Sequence, residues 1–165
     1  MNKSFYRIVA GVLTLLWMST IFWFSNQPAT ESGEMSGELC QKIVEDANRV
    51  LNLQLNGKEI HQIADKLEYP VRKAAHMTEY AILGLLSFSF YFSGDRRKHC
   101  YGKALLTAAL YAATDEFHQY FVPGRSAEIR DVCIDTAGAA IGLFLLYLFW
   151  KIIQRHCTKD VNILK

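Results

Sequence analysis

Little in this chain points to chemistry by itself. Its four cysteines, Cys40, Cys100, Cys133 and Cys157, are too few and too scattered for a disulfide framework or a zinc knuckle. They read as structural thiols. Lysine and arginine exceed acids only enough for a net charge of +2, which excludes a nucleic-acid partner. No serine or cysteine nucleophile motif accompanies the acids, and no spacing matches a strong metal signature, so no metal and no cofactor is called for. After Phe24 there is no small-x-small cleavage site, and the preceding apolar run is long for the roughly 7–15 residues of a signal-peptide core. An uncleaved membrane anchor is the expectation.

Apolar runs are what the chain does have. Residues 8–24, 74–92, 104–122 and 132–150 each approach the roughly 20 residues that a spanning helix needs. Basic residues collect at Lys3 and Arg7, at Arg96, Arg97, Lys98 and Lys103, and at Lys151, Arg155, Lys159 and Lys165. Lysine and arginine near span ends stay on the cytoplasmic side. The expected fold is therefore all-α: a single domain over residues 1–165, a bundle of four transmembrane helices arranged N-in/C-in, with the lipid bilayer as its first partner. Residues 25–73 then form an extracytoplasmic segment. Within it, Met35, Leu39, Ile43, Ala47, Val50 and Leu51 recur at helical spacing, and Ile60, Ile63, Ala64 and Leu67 do so after Asn56-Gly57. Two short amphipathic helices are expected there, either covering the outer mouth of the bundle or lying in the outer interface, and in either place able to form a lid.

Three of the four spans carry ionisable groups. A charge at the centre of a lipid-facing helix costs roughly 2.5–3.5 kcal/mol even on lenient scales, so these groups should face a partner or a watery cavity. Arg72, His76 and Glu79 fall at i, i+4 and i+7; Asp115 and Gln119, and again Asp131 and Asp135, fall at i and i+4. Each set occupies one helix face. With the spans running alternately inward and outward, all of them, together with Glu116, gather in the extracytoplasmic half. Arg72 and Lys73 break the orientation rule beside these acids and are expected to pair with them. Gly138 and Gly142 continue the stripe of the last span, at a spacing that permits close helix contact. Pro123-Gly124 is a turn, which makes the last two spans antiparallel neighbours, puts Arg125 at the tip over the acids, and leaves Ser126 as the expected N-cap. His118 and Glu116 point away from the Asp115–Gln119 stripe toward a neighbouring interface. The aromatic residues near span ends, Trp17 among them, fit an interfacial belt.

Several multi-residue motifs carry a resemblance: Phe24-Ser25-Asn26-Gln27-Pro28 with Ser32; Arg72-Lys73-Ala74-Ala75-His76-Met77-Thr78-Glu79-Tyr80; Asp115-Glu116-Phe117-His118-Gln119-Tyr120-Phe121-Val122-Pro123-Gly124-Arg125; and Asp131 with Gly138. In this order, over nearly the whole chain, they resemble the VanZ-like family of bacterial integral membrane proteins. At Asp135 the family pattern often has Asn, so this pocket would be more acidic. The resemblance implies an integral membrane protein linked, in some members, to reduced susceptibility to teicoplanin. Three readings of the polar set stand at this point. It is an outward-facing pocket that binds a cell-envelope component, such as a lipid-linked cell-wall intermediate or a glycopeptide antibiotic, with Arg72, His76, Glu79, Asp115, Glu116, Gln119, Arg125, Asp131 and Asp135 as ligand-binding residues. Or it is a membrane-embedded enzyme, with His76 or Glu79 as general base. Or it is a polar network that only holds the bundle together. The sequence assigns no oligomeric state.

Overall fold

The computed structural model describes residues 2–92 and 97–163. Arg96 and Lys165 lie outside the described residues, as do the side chains of Arg97, Lys98, Cys157 and Lys159. Five α-helices account for most of the described chain: α1 (Lys3–Ser25), α2 (Ala29–Leu51), α3 (Gly57–Tyr91), α4 (Arg97–Gln119) and α5 (Ile129–Ile163). There is no strand among the described residues.

Pair contacts give the directions. Lys73 meets Asp131, Gly138 lies on Met77, Gly142 lies on Ala81, and Phe92 meets Trp150, so α3 and α5 run side by side in the same direction. Arg7 stacks over Phe90 at one end of α1, and the Trp17 indole donates to the Glu79 carbonyl at 2.8 Å further along, so α1 opposes α3. Tyr111 donates to the Met18 carbonyl and Ser25 donates to Asp115, which places α4 parallel to α1. One end of this four-helix bundle therefore collects Arg7, Lys103 and Lys151, each over an aromatic ring. The other end collects the polar residues.

The core runs between these ends. Ile21, Tyr80, Leu83, Ala108, Ala112 and Ala139 are fully buried together, and Phe88, Cys100, Ala104 and Leu143 continue the packing toward the basic end. Small residues set the helix spacing. A Cβ on Gly138 would lie 2.3 Å from the Met77 carbonyl oxygen, and one on Gly142 would lie 2.9 Å from that of Ala81. The tight packing expected of this glycine pair is present, and it begins directly beneath the polar end rather than only in the opposite half. Trp17 corrects another expectation, since its hydrogen bond to α3 places it inside the bundle and not in an interfacial belt.

The segment before the second apolar run is not two short helices. α2 has 23 residues, and the second amphipathic stretch is continuous with the following apolar run in the 35-residue α3. Asn56 starts α3 with a full capping box: its side chain accepts from the backbone of Lys58 and Glu59, while Glu59 accepts from the Asn56 N–H at 2.8 Å. From there the apolar series Ile60, Ala64, Leu67 and Val71 continues to the site with no stop signal except Pro70, which removes one helical hydrogen bond without ending the helix. At about 1.5 Å per residue, 35 residues span roughly 52 Å, well beyond a hydrocarbon core of about 30 Å. α2 packs back along this first half of α3 through Cys40, Val44 and Ala64, forming a helical hairpin at the polar end.

Among the described residues, two helices are long and apolar enough to cross a membrane, Lys3–Ser25 and Ile129–Arg155. The runs within α3 and α4 fall short of that test because they contain the polar residues themselves, His76 and Glu79 in one, Asp115, Glu116 and His118 in the other.

Candidate functional site

At the polar end the C-terminus of α1, the turn between α4 and α5, and the middle of α3 converge. The last carbonyls of α1 lack helical donors, as at any helix end. Arg125 supplies one there and holds the segment after it: its Nη2 donates to the Phe24 carbonyl in the last turn at 3.2 Å and its Nε to the Gln27 carbonyl just past the helix at 2.9 Å. A cation is also the favourable charge at that end of the helix dipole. Burial draws the Arg125 pKa below the usual guanidinium value, and Asp115 acts in the opposite direction. The Ala29 N–H donates to the Pro123 carbonyl at 3.2 Å. Gly124 sits at φ +76°, where an added Cβ would also crowd the Ala29 methyl at 3.1 Å. The Ser25–Pro28 motif and the Pro123–Arg125 motif are thus two halves of one joint.

Behind this joint lies a closed hydrogen-bond cluster. Ser25 Oγ donates to Asp115 Oδ2 at 2.7 Å, and Gln119 Nε2 donates to the same oxygen at 3.1 Å, with all three side chains buried. His118 turns to the other side of α4, stacking on Phe22 and facing Asn26 Oδ1 at 3.2 Å, which is the interface role expected of it. Glu116 accepts the Glu128 N–H at 2.9 Å. That contact corrects the capping expectation: α5 begins at Ile129, not next to Ser126, and a carboxylate reaching over from α4 takes the backbone donor just before it.

In front of the joint is a cleft of about 180 Å³. Of the expected site residues, Arg72, His76, Glu116, Gln119, Arg125, Asp131 and Asp135 line it. Glu79 lines a neighbouring groove, and Asp115 is buried behind Gln119, outside both walls. Lys73, which had been read only as a partner for acids, also lines the cleft and forms a short ion pair with Asp131. Arg72 pairs instead with Glu68, one turn earlier on α3, at 3.1 Å. The signal for that pair was present as an i, i+4 acid–base spacing.

Hydrogen bonding is incomplete on this side. His76 Nδ1, Glu79 Oε2 and Asp131 Oδ1 are buried with no hydrogen-bond partner among the described residues. His76 Nδ1 and Glu79 Oε2 stand 3.6 Å apart, close enough for charge interaction and too far for a hydrogen bond. An unmet buried polar group costs about 1–3 kcal/mol, so several at one cleft mark a surface that a polar ligand would complete. Chemically, the cleft presents cations at Arg72 and Lys73 beside acceptors at Glu116, Asp131 and Asp135. A group bearing both an anion and hydroxyl or amine donors matches that set. No trio of histidine, cysteine or acid side chains with metal-holding geometry occurs among the described residues.

A family model described as VanZ/LLP1 matches residues 10–151, and the chain belongs to that family. The match takes in the α1 joint, the cleft and both glycines of α5. No curated protein and no solved structure matches the chain. Family membership and the two long apolar helices make this a membrane protein.

Proposed function

We propose that this protein crosses the cytoplasmic membrane four times, with both termini inside, and uses its outward-facing cleft to hold the polar head group of a cell-envelope component. The four spans are α1, the second half of α3, α4 and the apolar part of α5. Two features support that topology: the alternating helix directions, and the gathering of Arg7, Lys103 and Lys151 at the end opposite the cleft. The polar residues then lie in the outer half of the bundle, held by neighbouring helices and away from lipid.

The observation that carries the binding reading is that residues lining the cleft and the adjoining groove, His76, Glu79 and Asp131, hold buried polar atoms with no partner, next to two basic side chains. The ligand chemistry that fits is a phosphate or carboxylate carrying sugar or amine donors, as in a lipid-linked cell-wall intermediate. Holding such an intermediate at the outer surface would lower its capture by a lipid-bearing glycopeptide such as teicoplanin.

The test is binding by full-length protein in lipid nanodiscs, read as the lipids from envelope extracts that remain bound in native mass spectrometry. Wild type should retain an anionic envelope lipid, and Glu79→Gln and Asp135→Asn should lose it while unfolding at an unchanged temperature. Equal retention by wild type and both variants would refute the reading. Susceptibility of a Gram-positive host to teicoplanin and vancomycin, at matched membrane levels, then asks whether binding confers protection.

A further inference from the structure

A second cavity adjoins the polar cleft. It measures about 290 Å³, larger than the cleft, and lies between the end of α1, α2 and α3. Phe24, Met35, Leu39, Val71 and Ala75 give it most of its apolar surface, and Glu79 brings a carboxylate into it. Three residues line both cavities: Arg72, His76 and Arg125. Two cationic side chains therefore stand at the junction of a polar chamber and an apolar one. Leu39 and Met35 are half exposed, and Ile43 continues their line along α2 at a four-residue spacing. The packed face of the same helix is elsewhere, at Cys40 and Val44.

We infer that the groove between α2 and α3 takes the hydrocarbon chain of an anionic amphiphile whose phosphate sits at Arg72 and Arg125 and whose remaining head group fills the polar cleft. This assignment rests on the head-group reading above and adds the chain path and the ligand class. An acidic head joined to an apolar chain matches the order of surfaces: acceptors and Lys73 in the cleft, then the guanidinium groups, His76 and the neighbouring Glu79 carboxylate at the junction, then aliphatic and aromatic side chains. Arginine suits the junction because its planar fork binds phosphate oxygens in pairs, and the donors of Arg125 beyond the two used on Phe24 and Gln27 remain to do so. A chain seated in the groove adds apolar contacts that a head group alone lacks, which is why decyl phosphate should compete better than butyl phosphate. α2 is thereby part of the site and more than a cover over it.

Full-length protein in phosphatidylcholine nanodiscs, photolabelled with a decyl phosphate that carries a diazirine midway along its chain, provides the test. The adducts are mapped by peptide mass spectrometry, with unlabelled decyl phosphate, butyl phosphate and inorganic phosphate as competitors. The expected result is labelling at residues 35–39 and 71–75, displaced at least tenfold better by decyl than by butyl phosphate. Leu39→Glu should reduce it at least fivefold. Leu39 is 51% exposed, so the fold should tolerate this change, and the milder Leu39→Gln should give an intermediate loss. If labelling falls on the lipid-facing sides of α1 and α5 while butyl and inorganic phosphate still bind and depend on Arg72, the chain path is wrong and the head-group reading stands. If no phosphate compound competes at any site, the head-group reading fails and this inference fails with it.

Discussion

Gly138→Ala adds one carbon where the structure leaves no space for it. The new Cβ would lie 2.3 Å from the Met77 carbonyl oxygen, 2.7 Å from its Cα and 2.9 Å from its carbonyl carbon. All three are backbone atoms, so no side-chain rotation relieves the clash. Close carbon–oxygen contacts settle at about 3.3–3.6 Å, so α3 and α5 must part locally by about 1 Å. Overpacking of this kind costs typically 1–3 kcal/mol, and the upper part of that range applies because two helices move. Gly37→Ala in α2 is the control, since nothing lies within 4 Å of its added carbon and alanine is the better helix former by about 0.8–1.0 kcal/mol. Gly142→Ala, with its nearest contact at 2.9 Å, should fall between them. At roughly 2–4 °C per kcal/mol for a chain of this size, Gly138→Ala should unfold some 5–12 °C below Gly37→Ala in the same detergent. Met77 sits between His76 and Glu79, so the parting should also weaken ligand retention. Equal unfolding temperatures for Gly138→Ala and Gly37→Ala would refute the close contact and with it the helix pairing that forms the cleft.

The remaining predictions concern the site and its orientation. Lys73→Met strands Asp131, and because both side chains keep some exposure (21% and 17%) the cost should be about 1–3 kcal/mol, below the roughly 3–5 kcal/mol of a fully buried pair. Adding Asp131→Asn should recover most of it in chemical denaturation, and additive losses would show that the pair does not interact. Arg125→Ala removes two charge-assisted bonds, to the Phe24 and Gln27 carbonyls, worth about 3–6 kcal/mol together, and Arg125→Lys should recover less than half because an ammonium lacks the fork. Thermal unfolding checks this, and full recovery by lysine would mean that charge alone matters. For topology, a maleimide that does not cross membranes should label Gln41→Cys in intact cells and should label Lys151→Cys only after lysis; the reverse pattern would invert the orientation.

Much of the site was legible because helical spacing is a strict constraint. Arg72, His76 and Glu79 share a face in any helix, and the structure turns that face toward the cleft and its groove. Spacing shows which residues share a face but not which of them are already bonded. The sequence carries no sign that Asp115 would be occupied by Ser25, because that contact joins residues 90 positions apart and depends on how far α1 extends along α4. The role of Arg125 was hidden for the same reason, since its acceptors are backbone carbonyls that every residue possesses. The start of α5 shifted from Ser126 to Ile129 because a tertiary acceptor, Glu116, replaced a local cap. The merging of the second amphipathic stretch into α3 was obscured by Pro70, whose usual effect on a helix suggests an end.

The hydrogen-bond pattern separates the candidate residues into two sets, and that separation bears on how the site should be tested. Gln119, Arg125 and Glu116, with one oxygen of Asp115, are engaged by α1 or by the backbone before α5. Substituting them opens the joint between α1 and the α4–α5 turn, so lost binding would be accompanied by lost stability. His76, Glu79 and the free oxygen of Asp131 have buried atoms that nothing in the fold satisfies. Leaving such atoms unmet costs stability, and a neutral replacement of similar shape should relieve that cost. Glu79→Gln should therefore leave the fold intact or firmer while removing ligand, whereas Arg125→Ala should lose both. A protein in which all of these substitutions destabilise equally would have a polar core and no receptor. Loss of binding without loss of stability in the unmet set would identify the cleft as a site whose unmet groups are retained for a ligand at the expense of stability.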